Sequence, residues 1–106
     1  MSRFIYADHA ATTPLSDAAY RAMLPWIREG YGNPSSIYSI GREAAAAVAR
    51  ARAQVAALIG ARPEEILFTG SGSEADNMAL RGIVHARRGK GRHIISSAIE
   101  HHAVLH

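Results

Sequence analysis

The sequence predicts an α/β fold, and three observations carry that reading. Two short apolar runs, ILFTG at 66–70 and HIISS at 93–97, are flanked by turn-forming residues, as buried strands are. Between them, residues 73–87 place Met78, Leu80, Ile83 and Val84 in a helix-forming stretch. The resulting strand–helix–strand order leaves a connection long enough for the crossover that parallel strands require. At 106 residues the chain has the length of roughly one small domain.

Taken in order, Phe4, Ile5 and Tyr6 predict a short extended segment that ends in the turn-rich DHAATTP. Ser16 or Asp17 then caps a helix over AAYRAMLPWIREG, where Ala19, Met23, Trp26 and Ile27 share one side. Pro25 lacks an N–H and crowds the preceding turn, so it should kink or shorten this helix. GNPSS is a loop, because a residue before proline is pushed away from helical geometry. Gly41 to Ile59 is an Ala-rich helix with Gly60 as its C-terminal cap. Its stripe of Ala44, Val48, Ala51, Val55, Leu58 and Ile59 implies close packing against another layer. The final IEHHAVLH begins a helix. Two strands do not complete a doubly wound sheet, and the chain reaches His106 about one turn into that helix. The expectation is therefore a piece of something larger, unable to fold cooperatively alone because apolar helix faces and strand edges stay uncovered.

The turn TGSGS between the first strand and its helix carries the chemistry. Small residues there leave backbone N–H groups free at a helix N-terminus, where the helix dipole adds positive potential. Gly72 allows close approach and Ser73 offers a hydroxyl, so a phosphate monoester is a fitting guest. The turn is no P-loop, since GK[ST] does not follow, and no acidic residue ends a strand at the distance a dinucleotide fingerprint needs. On these residues alone, a bland strand-to-helix turn and a phosphate cup remain equally open.

Four stretches in this order and at these spacings, YADHAATTPLS, YGNPSSIYSIGREA, EEILFTGSGSEADNMAL and HIISSAIEHHAVLH, resemble the amino-terminal part of cysteine desulfurases of the NifS/IscS type. These are pyridoxal-phosphate enzymes of the class V aminotransferase family. The resemblance runs from Tyr6 to His106. It implies the beginning of the pyridoxal-phosphate-dependent transferase fold type I, a parallel or mixed sheet with flanking helices. Residues 1–15 would be an arm at the active-site entrance on the small-domain side, and 16–106 the start of the large cofactor-binding domain. Gly72 and Ser73 would hold the phosphate of pyridoxal 5′-phosphate, and His101 would stack on its pyridine ring and help move protons. A flat, polarisable imidazole over the ring suits both tasks. The family commonly has Asn where this chain has His9, His where it has Tyr38, and Thr-Ser-Gly-Ala-Thr-Glu where it has TGSGSE. These departures touch fine substrate contacts, while small and hydroxyl residues keep the key places.

The resemblance further implies L-cysteine as substrate, a protein acceptor for its sulfur, iron–sulfur cluster assembly or tRNA thiolation as destination, and a homodimer. It also calls for a Schiff-base lysine and a nucleophilic cysteine. The chain contains no cysteine, and its single lysine, Lys90, lies in the glycine-flanked basic stretch HARRGKGRH. No catalytic residue is thus expected within these 106 residues, and the chain alone should be inactive. Another class V enzyme, a selenocysteine lyase or an aminotransferase, would share the same cup, and a truncated non-catalytic product or a free-standing phosphate-binding module stays open as well.

The remaining features exclude more than they assign. There is no signal-peptide h-region and no apolar run long enough to span a membrane, so a cytoplasmic protein is expected. The net charge of +3 is partly concentrated in residues 85–93. Without interleaved aromatics or a nucleic-acid motif, that stretch reads as a solvated loop flanked by His85 and His93, and no direct nucleic-acid partner is expected. His102 and His106 are four apart, yet no Glu follows the first histidine as a zinc protease needs, and no metal site is expected. Glu74, Asp76 and Asn77 fall in the first turn of a helix, where acids complement the dipole; Glu100 likewise serves a helix start.

Overall fold

The computed structural model describes residues 4–105. His106, and with it the spacing from His102, lies outside the described residues, as do residues 1–3 of the expected arm. The chain divides after Pro63 into two compact units.

In the first unit, Tyr6 closes the DHAATT loop. Its phenol oxygen lies 2.8 Å from the Asp8 carbonyl oxygen and 2.7 Å from the Thr12 hydroxyl. The Asp8 carbonyl also accepts from the Ala11 amide. Helix α1 (Asp17–Arg28) starts where expected: the Ser16 hydroxyl caps it by accepting from the Ala19 amide at 3.2 Å. Pro25 sits inside α1, which continues one turn past it to Arg28. The amides of Glu29 and Gly30 then both converge on the Pro25 carbonyl.

Helix α2 (Ser39–Ile59) begins two residues before its expected start. The Asn33 side chain accepts from the Ser35 amide at 2.9 Å and its carbonyl from the Ser36 amide, a local turn that lays GNPSS over Gly41. At its far end Gly60 takes φ 68°, the left-handed cap expected of it. The Gly60 amide bonds the Ala57 carbonyl and the Ala61 amide the Ala56 carbonyl, the pair of bonds that defines a Schellman ending.

The apolar stripe of α2 is covered only in part. Ala44 and Ala56 are the buried hydrophobic residues among those described, whereas Val48 and Val55 are exposed and Leu58 is 85% exposed. A stripe is buried only where a second layer meets it. Met23 and Trp26 of α1 and Ala44, Val48 and Ala51 of α2 line an open groove rather than an interdigitated seam.

The second unit contains helix α3 (Gly72–Arg87), within one residue of its expected start, and the single turn α4 (His102–Leu105), which pack against each other. Here the expected sheet is not seen. Neither 66–70 nor 93–97 is a strand, and no strand occurs among the described residues. Ile95 is 88% exposed. The crossover length permits parallel pairing of these two runs without requiring it, because consecutive strands often pair with others instead. A lone parallel pair is also among the weakest sheets. The α/β class therefore finds its helices here and not its ladder.

After α3, the basic stretch is an exposed turn closed by the Lys90 amide on the Arg87 carbonyl at 2.7 Å. Its cations sit beside a helix C-terminus, where positive charge is favoured. Among the described residues no helix is long and apolar enough to cross a membrane.

Candidate functional site

The TGSGS turn is stitched by its own side chains. The Thr69 hydroxyl donates to the Ser71 carbonyl at 3.0 Å. Ser71 caps α3: its hydroxyl accepts from the Glu74 amide at 3.2 Å. Glu74 reaches back, and its carboxylate accepts from the Gly70 amide at 2.7 Å. The pair follows the Ser-x-x-Glu capping pattern, shifted by one residue on the return bond. Sequence reasoning placed Glu74 at a helix start but missed Ser71 as the cap. That same spacing was the signal available for it.

This stitching decides which groups remain. The Gly70 and Glu74 amides are taken. The Gly72 and Ser73 amides and the Ser73 hydroxyl have no partner among the described residues, and all three are exposed at the positive end of α3. A Cβ built on Gly72 would meet no heavy atom within 4 Å, so the space beside its Cα is open. Two such amides and a hydroxyl suit the oxygens of a phosphate monoester. On this observation the residues present fit the phosphate of pyridoxal phosphate.

His101 stands immediately before α4. Its carbonyl accepts the Val104 amide at 2.9 Å, and its ring Nδ1 accepts the Ala103 amide at 3.1 Å. An imidazole nitrogen that accepts carries no proton, so the ring's proton is on Nε2. The ring is exposed and meets His102 edge-on, with centroids 6.3 Å apart.

One side chain joins the two places. The Asn77 Nδ2 donates to the Ser73 carbonyl at 3.0 Å and to the Ala103 carbonyl at 3.2 Å. The turn with Gly72 and Ser73 and the His101 segment thus belong to one local assembly of α3 and α4. Asn77 was read from the sequence as a helix-start residue. Its link across 26 positions has no sequence signal.

Tyr6, His9 and the DHAATT loop belong to the first unit, where the His9 Nδ1 lies 3.1 Å from the Thr13 hydroxyl and its ring meets Tyr6 edge-on at 5.2 Å. Tyr38 precedes α2 without a side-chain capping bond, and Arg42 donates to the Ile37 carbonyl at 2.8 Å. Lys90 is exposed in the basic turn.

With the geometry in hand, comparison with known proteins is specific. The family described as aminotransferase class-V matches residues 5–106. A cysteine desulfurase IscS of Dictyoglomus turgidum is 51% identical over 105 residues, covering 99% of this chain and 27% of that protein. The cysteine desulfurase IscS of Methanosarcina thermophila is 50% identical over 105 residues, covering 99% of this chain and 26% of its own length. The solved structure of a NifS-like protein superposes with a TM-score of 0.82 at 39% identity, over 92% of this chain and 27% of that one. The chain therefore spans about a quarter of the length of the curated relatives it matches.

Proposed function

The chain belongs to the class-V aminotransferase family, and from that premise we propose that the full protein is a pyridoxal-phosphate-dependent cysteine desulfurase. It converts L-cysteine to L-alanine and retains the sulfur as an enzyme-bound persulfide for an acceptor protein, feeding iron–sulfur cluster assembly or tRNA thiolation. The observation that carries this reading is the cup at Gly72 and Ser73, two amides and a hydroxyl with no partner among the described residues, within a chain half identical to a cysteine desulfurase IscS.

In this reading Gly72 and Ser73 bind and orient the cofactor phosphate through their amides and the Ser73 hydroxyl. When bound, the cofactor supplies an electron sink for the carbanion that carbon–sulfur cleavage leaves on the substrate. His101 stacks on the ring and holds its proton at Nε2, with Nδ1 engaged by the Ala103 amide. Residues 1–15 form an arm at the substrate entrance, and 16–106 open the large domain of a fold type I sheet in a cytoplasmic homodimer. The persulfide cysteine and Schiff-base lysine are not supplied here. The chain has no cysteine, and Lys90 stands in the exposed turn, so these 106 residues alone are inactive.

The test is made on the full-length product as the cell makes it. Its intact mass should exceed 11.4 kDa. It should carry the visible absorption of bound pyridoxal phosphate and form one alanine per sulfur released from L-cysteine under a thiol reductant. A keto acid in place of alanine, or turnover of selenocysteine with L-cysteine ignored, would overturn the assignment.

A further inference from the structure

Asn77 is half-buried on the face of α3 that meets α4, where its side-chain amide bonds the Ser73 carbonyl of its own helix and the Ala103 carbonyl of α4. Both of its partners are main-chain carbonyls, which only accept. The amide orientation is therefore fixed with Nδ2 toward both, each of its two N–H groups serving one carbonyl. Ala103 is in turn held at both ends, its carbonyl by Asn77 and its amide by the Nδ1 of His101. A continuous path of hydrogen bonds thus runs from the main chain of Ser73, through Asn77 and Ala103, to the imidazole ring.

We propose that Asn77 is a positioning residue that holds the phosphate cup of Gly72 and Ser73 in register with the ring of His101, so that the two grip one cofactor cooperatively. The proposal rests on the cofactor reading given above and adds to it the residue that makes two separate contacts a single site. The physical reason is preorganisation. A ligand held at two points gains most when the points are already spaced to match it, because forming one contact then carries no further ordering cost for the second. An oxygen at the Nδ2 position would face two carbonyl oxygens. Asp is therefore the sharpest replacement by volume and the least compatible by chemistry.

The decisive experiment is a double-mutant cycle between S73A and H101A, read as pyridoxal phosphate affinity by titrating the full-length apoprotein and following visible absorption. With Asn77 present, the double variant should lose about fivefold less affinity than the product of the two single losses, because either loss already spoils the joint grip. In an N77A background the same cycle should close to within about twofold. A residue that merely supported the fold would weaken binding in every arm and leave this coupling intact. Should N77A fail to yield folded protein, N77L nearly keeps the side-chain volume without setting an oxygen against the two carbonyls, and should abolish the coupling in the same way. Coupling that persists in N77A or N77L overturns the proposal while leaving the cofactor reading standing. Single S73A and H101A variants with unchanged affinity overturn the cofactor reading and this proposal together.

Discussion

Two glycine- and serine-rich turns lead into the long helices α2 and α3, and they use glycine for opposite purposes. At GNPSS before α2, a Cβ on Gly41 would strike the Ser36 carbonyl oxygen, lie 2.7 Å from the Ser36 Cβ and lie 2.8 Å from the Asn33 carbonyl oxygen. At TGSGS before α3, a Cβ on Gly72 would touch nothing. The first glycine is there because the chain closes over it, and Gly41 is buried. The second stands at an exposed helix start, where its own amide and that of Ser73 have no partner among the described residues. Composition alone does not separate a turn that is packed shut from one that is held open; the neighbouring backbone does.

The largest expected effect tests the closed turn. G41A gains about 1 kcal/mol of intrinsic helix propensity. Against this stands overpacking, typically about 1–3 kcal/mol and greater where backbone, not a flexible side chain, must yield. The obstructing atoms are Asn33 and Ser36 main chain, locked by the Asn33 side chain on the Ser35 amide. The clash should win, with a net loss of about 2 kcal/mol in denaturant unfolding of the full-length protein. The 106-residue chain is unsuited to that measurement. With Ala44 and Ala56 as its buried hydrophobic residues among those described, it should show no sharp, reversible thermal transition alone.

The next effect tests the open turn as a binding site. S73A removes the hydroxyl that the proposal assigns to the cofactor phosphate, and should weaken cofactor affinity roughly tenfold with little change in unfolding. Equal affinity in S73A and wild type would break the comparison, leaving the turn open but idle. Smaller again is S71A. It removes the cap on the Glu74 amide and should cost about 1 kcal/mol of stability, read in the same unfolding experiment.

What the sequence made legible was local. Ser16 as a cap, Gly60 as a left-handed ending, and the start of α3 to within one residue all depend on a few neighbouring positions, which residue types reveal directly. Pro25 stands one turn before the end of α1, which stops at Arg28, short of the stretch read as helical. The two runs read as strands were legible as apolar segments, but neither forms a strand among the described residues. A ladder is a property of two segments, and nothing in ILFTG or HIISS names a partner. The candidate site divides in the same way. Gly72 and Ser73 were visible as donors at a helix start, and Ser71 could have been found from its spacing to Glu74. The tie from Asn77 to Ala103 depends on how α3 and α4 pack, which no local pattern encodes.

The smallest expected effect is also the sharpest contrast, because it repeats the G41A substitution at the other turn. Gly72 opens α3 with backbone that needs no positive φ, so alanine can adopt it, and the space around its Cβ is empty. Replacing glycine by alanine where the native conformation allows it reduces the freedom of the unfolded chain, a gain of up to about 1 kcal/mol. G72A should therefore leave unfolding unchanged or slightly raised. Its cofactor affinity should barely move, since the related family pattern carries alanine at this place. Opposite signs for one chemical change at two similar turns would show that packing, not composition, assigns their roles. A loss in G72A comparable to that in G41A would mean that the second turn is closed as well. A phosphate could then reach the Gly72 and Ser73 amides only by displacing protein, and the cup would have to be sought elsewhere.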